Sequence, residues 1–492
     1  MDSFPFSLES LSASAQHMLP LFLLLGTGLA LMLLDAFGQQ RLLPWLAAAG
    51  LAASGLLAWA GGVPESRISF FGMMETGGIA PLVHAFLCLS GVLTLFFLTD
   101  YLKRYERPIS DIYALLVFSV VGMILMANAQ DLIMTFIGLE TMSMCLYIFA
   151  ALFKTDPRSN EAGLKYFLLG SFASAFLLFG ISLLYGLTGS TQFGSWSGES
   201  AQMLMREHAP LFYVAAGLLL IGFLFKVSAF PFHTWTPDVY AGTPTPLAGF
   251  MATGSKMASF VALAALLREL VPDGGGKLTS LLAIAALLTM IYGNLVAVQQ
   301  TNLKRMLAYS SIAHSGYVLL GLCSSTQGFE AMLFYMFIYL LMNLGAFGIV
   351  GMAERDFPDT EIDAWRGLGR KSPLYAGALA VFLFSLAGIP PLAGFMGKYQ
   401  VFAAALRADL LFLAIVGILT SVIGAYYYIR VIVLMFFDRT EPAAPLSLTS
   451  SRIPVIGAAL LAFLVILLGI FPALILSPIR DAFQTLTVAG AF

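Results

Sequence analysis

The sequence predicts an all-α polytopic membrane protein of about fourteen transmembrane helices, and three observations predict it. The 492 residues are 59% hydrophobic and only 11% charged, against roughly 25% charged in soluble domains. Mean hydropathy is +0.88, which is more apolar surface than a soluble core of this size hides, so lipid must cover it. Apolar runs long enough to cross a hydrocarbon core of about 30 Å recur from end to end. A net charge of −2 argues against a nucleic-acid partner.

In chain order the expected spans are 18–36, 42–61, 78–98, 112–128, 132–153, 163–187, 209–240, 246–267, 279–299, 304–323, 328–351, 374–406, 410–437 and 453–476. No Lys or Arg precedes the first run, so that run is expected to stay as a helix and not be cleaved as a signal peptide. The loops after odd-numbered spans hold fifteen Lys and Arg, and the opposite side holds six. The other four of the 25, Lys226, Lys256, Lys398 and Arg430, fall within spans. Positive charge gathers on the cytoplasmic side, so both termini are expected on the non-cytoplasmic face of a bacterial inner membrane. Cys88, Cys145 and Cys323 are scattered through apolar runs with no CxxC or His/Cys cluster, and no G-x-G-x-x-G or P-loop occurs. Neither a disulfide framework, a metal or iron–sulfur site, nor a nucleotide loop is indicated.

Two spans are overlong and carry proline in the middle. The seventh is interrupted at Pro231 and the twelfth at Gly388, Pro390 and Pro391, where proline removes a backbone donor and crowds the preceding turn. Aligning Phe225–Pro231 with Phe384–Pro390 gives an offset of 159 residues, five spans later. Proline-broken helices in corresponding positions are a mark of repeats in transporters, with the ion site near the breaks.

Ionisable groups at membrane depth carry the functional reading, since each is costly there and marks an ion or proton path by default. Glu140 lies nine residues beyond Asp131, about 13 Å into its helix. Lys256 is similarly half-way in, Lys226 sits mid-span, and Lys398 lies beyond the second break. Arg430 is close enough to the cytoplasmic end to snorkel. A structural ion pair is the rival reading for Glu140 and Lys226. The functional one is a switch, in which a carboxylate at a changing distance alters the proton affinity of Lys226 and passes a proton towards Lys256 and Lys398. His233 and His314 are candidate relays, because imidazole titrates near neutrality; His84 reads as structural.

These residues carry a resemblance. The stretch Phe-Lys226-Val-Ser-Ala-Phe-Pro-Phe-His233-Thr-Trp-Thr-Pro-Asp238, the run Asp131-Leu-Ile-Met-Thr-Phe-Ile-Gly-Leu-Glu140, Leu164-Lys165-Tyr-Phe-Leu-Leu-Gly170 and Asn302-Leu-Lys-Arg-Met-Leu-Ala-Tyr-Ser-Ser-Ile-Ala-His314 strongly resemble the N subunits of bacterial proton-pumping NADH:quinone oxidoreductase, respiratory complex I. The resemblance covers essentially the whole chain. It implies fourteen helices with two inverted five-helix repeats, spans 4–8 and 9–13. The corresponding parts are 1–111, 112–270, 271–437 and 438–492. It also implies that Glu140 and Lys226 form the modulated pair of one half-channel, Lys256 the central relay and Lys398 the group of a second. Lysine at 398 favours N over the M subunit, which typically has glutamate there. NAD, FMN, iron–sulfur clusters and quinone would then belong to partner subunits, with none in this chain. The expected neighbours are the M subunit, the small subunits of the quinone-proximal arm and membrane lipid. Such a chain is part of a translocating enzyme and not an enzyme alone. The alternative is a subunit of an Mrp-type cation/proton antiporter. The polar loops at 190–208 and 352–371 are the unusual features.

Overall fold

The structure is a computed structural model, and it describes residues 17–63, 65–103, 109–196, 199–271, 276–357, 359–438 and 452–488. Arg104, Arg107 and Arg439, counted above among the cytoplasmic charges, lie outside these residues. Each expected window holds helix, and among the described residues eleven helices are long and apolar enough to cross a membrane. Starts are set by local chemistry. Asp131 caps Leu132–Ala150 by accepting from Ile133 N at 2.7 Å and Met134 N at 3.2 Å. Asp156 caps Pro157–Thr188 ahead of an N1 proline, and Asn302 caps Leu303–Leu322 through Arg305 N. These caps satisfy amides that a helix start leaves without a partner.

Two helices form the spine. Every residue of Gln327–Ala353 in its most apolar stretch is buried, as is 89% of Thr245–Leu270, whereas Leu19–Ala36 is only 28% buried and sits at the margin. Small residues let backbones meet, the usual means of packing helices where lipid offers no hydrophobic drive. A Cβ on Gly122 would lie 2.4 Å from Met142 N, and one on Gly138 would lie 2.3 Å from Met126 N. Asp111–Ala127 and Leu132–Ala150 therefore pack main chain to main chain.

Several features depart from the sequence reading. A two-residue hairpin, Ile68–Ser69 with Met74–Glu75, joins the second and third helices, so the fold is not purely helical. A short helix, Glu199–Glu207, lies in the polar segment at 190–208. The last window ends early, at Ile470, because Pro472 cannot continue the ladder, and a separate helix runs Ala473–Val488. Within the eighth window the helix widens into a π turn over Met251–Ser255, immediately before Lys256; such turns are rare and gather at functional positions.

The two breaks share one geometry. Ala209–Lys226 ends with Ser228 at φ 61° and a bond from Ala229 N to Leu224 O at 2.8 Å. Pro373–Ala387 ends with Gly388 at φ 87° and a bond from Ile389 N to Phe384 O at 3.1 Å. Both are left-handed closures of a helix end. They match Ser228 with Gly388, which moves the offset from 159 to 160, since the left-handed residue and not the first proline sets the register. The chain resumes as Thr236–Gly242 and Ala393–Arg407.

The two polar loops also match. Leu132 N donates to Thr191 O at 2.9 Å and Phe193 N to Gln130 O at 3.0 Å; Leu303 N donates to Thr360 O at 2.9 Å and Ile362 N to Thr301 O at 2.7 Å. Each loop thus clips onto the capped start of a helix, then makes a short 3₁₀ turn ending at a buried tryptophan, Trp196 or Trp365.

Candidate functional site

Lys226 is the last residue of its half-helix and is buried, 4% exposed. Its Nζ lies over the rings of Tyr147 at 5.1 Å, Tyr166 at 5.3 Å and Phe225 at 5.7 Å, the arrangement of a cation on aromatic faces. Its one hydrogen-bond contact is a long one, 3.5 Å to the Tyr147 hydroxyl. Tyr147 is held edge-on against Tyr166 and Phe167. Glu140 stands two turns back on the Tyr147 helix, half-buried, and accepts a hydrogen bond from the Ser174 hydroxyl. Among the described residues no ion pair within 4.0 Å joins Glu140 to Lys226. The structural-pair reading therefore fails in this conformation.

Lys256, 1% exposed, donates to Ser311 Oγ at 2.6 Å, Ser311 O at 3.0 Å and Ser315 Oγ at 3.0 Å. An ammonium has three donors and no acceptor, and all three are used. Lys398 is treated the same way. It donates to Leu386 O at 2.8 Å, Ala387 O at 3.1 Å and Ser421 Oγ at 2.8 Å. The two carbonyls belong to the last turn of the broken helix Pro373–Ala387, where carbonyls lack helical partners and the helix dipole is negative. The break thus builds the seat for the lysine that follows it.

One helix, Leu303–Leu322, joins these two lysines. Its Ser311 and Ser315 hold Lys256, while His314 contacts the Tyr335 hydroxyl through Nδ1 at 2.5 Å and the Tyr428 hydroxyl through Nε2 at 3.1 Å. Tyr428 also bonds Ser310. Tyr317, one turn on, faces Lys398 Nζ at 5.3 Å and takes a hydrogen bond from Asn294 at 2.9 Å. No side-chain hydrogen bond among the described residues connects Lys226 to Lys256. His233 lies past the first break, stacked on Phe230 with Tyr292 tilted against it, and neither ring nitrogen has a hydrogen-bond partner among the described residues. Buried and likewise unpartnered are the hydroxyls of Ser228, Tyr240 and Tyr339 and both amide atoms of Asn343. His84, as expected of a structural imidazole, bonds Ser54 at 2.8 Å.

At the end of the fold that carries most of the basic loops, a cavity of about 650 Å³ opens among charged side chains. Asp238 receives Lys165 at 2.8 Å and Arg305 at 2.9 Å along its wall. Deeper in, Lys304 donates to Thr243 O at 2.7 Å and pairs with Glu354 at 3.2 Å.

With that geometry in hand, the chain can be compared with known proteins. Residues 129–424 match the family described as NADH:quinone oxidoreductase/Mrp antiporter, TM. The NADH-quinone oxidoreductase subunit N of Salinibacter ruber is 39% identical over 479 residues, covering 95% of each chain. That of Trichlorobacter lovleyi is 43% identical and covers 84% of this chain and 86% of its own.

The chain belongs to the subunit N family.

Among solved structures, a chain of respiratory complex I from Thermus thermophilus with bound aureothin matches at a TM-score of 0.80 and 33% identity, over 93% of this chain and 98% of that one. A chain of the Mrp complex from Dietzia sp. DQ12-45-1b shares the fold, with a TM-score of 0.85 at 20% identity over 96% and 97%.

Sequence reasoning placed Lys226 and Lys398 in proline-broken spans and Lys256 half-way along its helix, but missed what holds them. Tyr147, Ser311, Ser315 and Ser421 are ordinary residues in apolar helices. The one signal available is that Ser311 and Ser315 are four apart, on one helix face next to His314. The Lys304–Glu354 pair was hidden because both residues read as loop charges.

Proposed function

We propose that this chain translocates protons as a subunit of the membrane arm of an NADH:quinone oxidoreductase, with quinone reduction in other subunits as the driving reaction. The observation that carries this is the way the lysines are held. Lys256 and Lys398 each rest on three neutral oxygens, while Lys226 rests on aromatic faces with a carboxylate near it but not on it. A buried lysine with no counter-ion is expensive unless it does something. Neutral acceptors let the proton leave without abandoning a buried carboxylate, which a tight ion pair would not allow.

In this reading the cytoplasmic cavity admits protons. The unpartnered hydroxyls of Ser228, Tyr240 and Tyr339 and the amide of Asn343 form the polar wall along which water links Lys226 to Lys256. Ser311, Ser315, His314, Tyr335 and Tyr428 then bring Lys256 within relay distance of the Lys398 region. Glu140 biases Lys226 electrostatically, and His233 is a side relay beyond the break. The matched breaks and matched loop clips support two repeats, 112–270 and 271–437, inverted with respect to each other, flanked by 1–111 and 438–492. With the flanking helices this reading has fourteen crossings, and the excess of Lys and Arg in the odd-numbered loops supports non-cytoplasmic termini. The neighbours are other membrane-arm subunits, the M subunit among them, and NAD, FMN, iron–sulfur clusters and quinone are assigned to partner subunits.

The test is Lys226→Ala in vesicles of the host membrane, with assembly checked on a native gel. NADH-driven quinone reduction and proton uptake should fall together, several-fold or more, in an assembled complex. Unchanged NADH-driven activity with altered sodium- or potassium-dependent proton exchange would favour an antiporter instead. No change in either would remove Lys226 from the path.

A further inference from the structure

Far from the lysine line, at the end of the fold where the basic loops gather, a groove of about 570 Å³ runs between Leu43–Gly61, Ala80–Leu102 and the start of Ile453–Ile470. Its wall is one face of the Ala80–Leu102 helix, with Val92, Leu95, Phe96, Thr99 and Leu102 at helical spacing. Trp45 closes the opposite side and is 67% exposed, as befits an aromatic ring at a membrane interface. At the mouth stand Arg41 and Lys103, both exposed, and neither makes an ion pair or hydrogen bond among the described residues. Among the described residues no carboxylate lines the groove. Asp35, in the last turn of Leu19–Ala36, and Asp111, the first residue of Asp111–Ala127, lie against each other outside the lining.

We propose that this groove is a binding site for one anionic phospholipid, its phosphate held between Arg41 and Lys103 and an acyl chain laid along Val92–Thr99. Three observations fit this occupant. Two unpaired cations at the cytoplasmic surface attract a phosphate, and such residues at an anionic surface act additively. From Lys103 back to Val92 the wall is eleven residues long, about 16 Å, which is close to half of a hydrocarbon core of about 30 Å. The groove therefore has the depth of one leaflet. Gln40 and Ser110 stand at the mouth as neutral donors.

The test uses the intact complex in nanodiscs of phosphatidylcholine with a minor share of phosphatidylglycerol carrying a photoreactive acyl chain. Cross-linked peptides are then mapped by mass spectrometry. Label should concentrate on the 92–102 segment and around Trp45, well above that from a phosphatidylcholine probe with the same chain. Replacing both Arg41→Gln and Lys103→Gln should weaken retention by about 30-fold, while Arg41→Lys with Lys103→Arg should keep it. Val92→Trp, which fills the groove without touching the charges, should also abolish the label. Equal labelling by both lipids, or label that survives the double glutamine variant, would overturn the proposal. So would cross-links from the groove to a neighbouring subunit, which would mean that a partner helix occupies it.

Discussion

Substituting Gly170→Ala tests whether the aromatic seat of Lys226 matters. Gly170 lies on Pro157–Thr188, where the Tyr147 hydroxyl closes over it: a Cβ there would sit 2.1 Å from Tyr147 Oη and 2.8 Å from its Cζ. Neither distance is tenable, and Tyr147 is boxed in by Tyr166 at 4.8 Å and Phe167 at 5.7 Å. The ring must swing out, carrying its face away from Lys226 Nζ, now 5.1 Å distant. Overpacking of this kind costs about 1–3 kcal/mol of local stability. Loss of one cation–π face removes about 0.5–2 kcal/mol, or about 2- to 30-fold in the occupancy of the ammonium's position. Coupled proton uptake in vesicles should fall within that range while the complex still assembles. Tyr147→Phe, which deletes only the 3.5 Å hydroxyl contact and keeps the face, should cost less. Wild-type turnover in an assembled Gly170→Ala complex would refute the argument, and so would a larger loss from Tyr147→Phe than from Gly170→Ala.

Three further outcomes follow from the same contacts. Gly388→Ala places a Cβ at φ 87° and 3.0 Å from Lys398 Cδ, so about 1–2 kcal/mol of backbone strain should speed hydrogen exchange at the second break and lower turnover. Lys304→Met strands the Glu354 carboxylate, whose side chain is 12% exposed, at about 3–5 kcal/mol; less complex should assemble on native gels, and adding Glu354→Leu should restore part of it. Burial pushes the Glu75 carboxyl above its usual range, opposed by the Arg268 charge and by hydrogen bonds from Ser66 and Gln130. A raised folded-state affinity for the proton gives stability that is present at low pH and lost as pH rises through the folded value. The hairpin at 68–75 should therefore show larger protection factors, corrected for the base-catalysed intrinsic rate, at pH 5 than at pH 8, and Glu75→Gln should flatten that difference.

How much of this was legible beforehand depended on what kind of signal each part leaves. Apolar runs and proline breaks are written in composition, so every helix window and both interruptions could be read directly. The register of the breaks could not, because it is set by which residue turns left-handed, and Ser228 is not a residue type that advertises it. The π turn before Lys256 leaves no compositional trace, since Met251–Ser255 is as helix-compatible as its flanks. Nor could the acceptors be read: Ser311 approaches Lys256 only because two helices distant in sequence cross, and Leu386 O and Ala387 O are main-chain atoms that every residue possesses. Polarity of side chains is visible in a sequence, but the freeing of a carbonyl by a broken helix is a property of the fold.

The three lysines are held differently, and the proposed path gives each difference a use. For Lys256 and Lys398, protein oxygens replace the lost water completely, three acceptors for three donors. In the proposed path, that arrangement would suit a station that holds a proton until the next one is free. Lys226 has no such shell. Its two close tyrosine faces and one long contact replace water poorly, so the energy of its charged form depends on whatever field reaches it. Glu140 supplies that field from the Tyr147 helix, and its carboxylate is anchored by Ser174 rather than by Lys226. Coulomb energy varies as the inverse of distance in a weakly screening interior. A small shift of the Glu140 helix therefore changes Lys226 more than it changes either of the others. In the proposed path, the lysine that lacks an oxygen shell is therefore the one that a carboxylate on a neighbouring helix would switch.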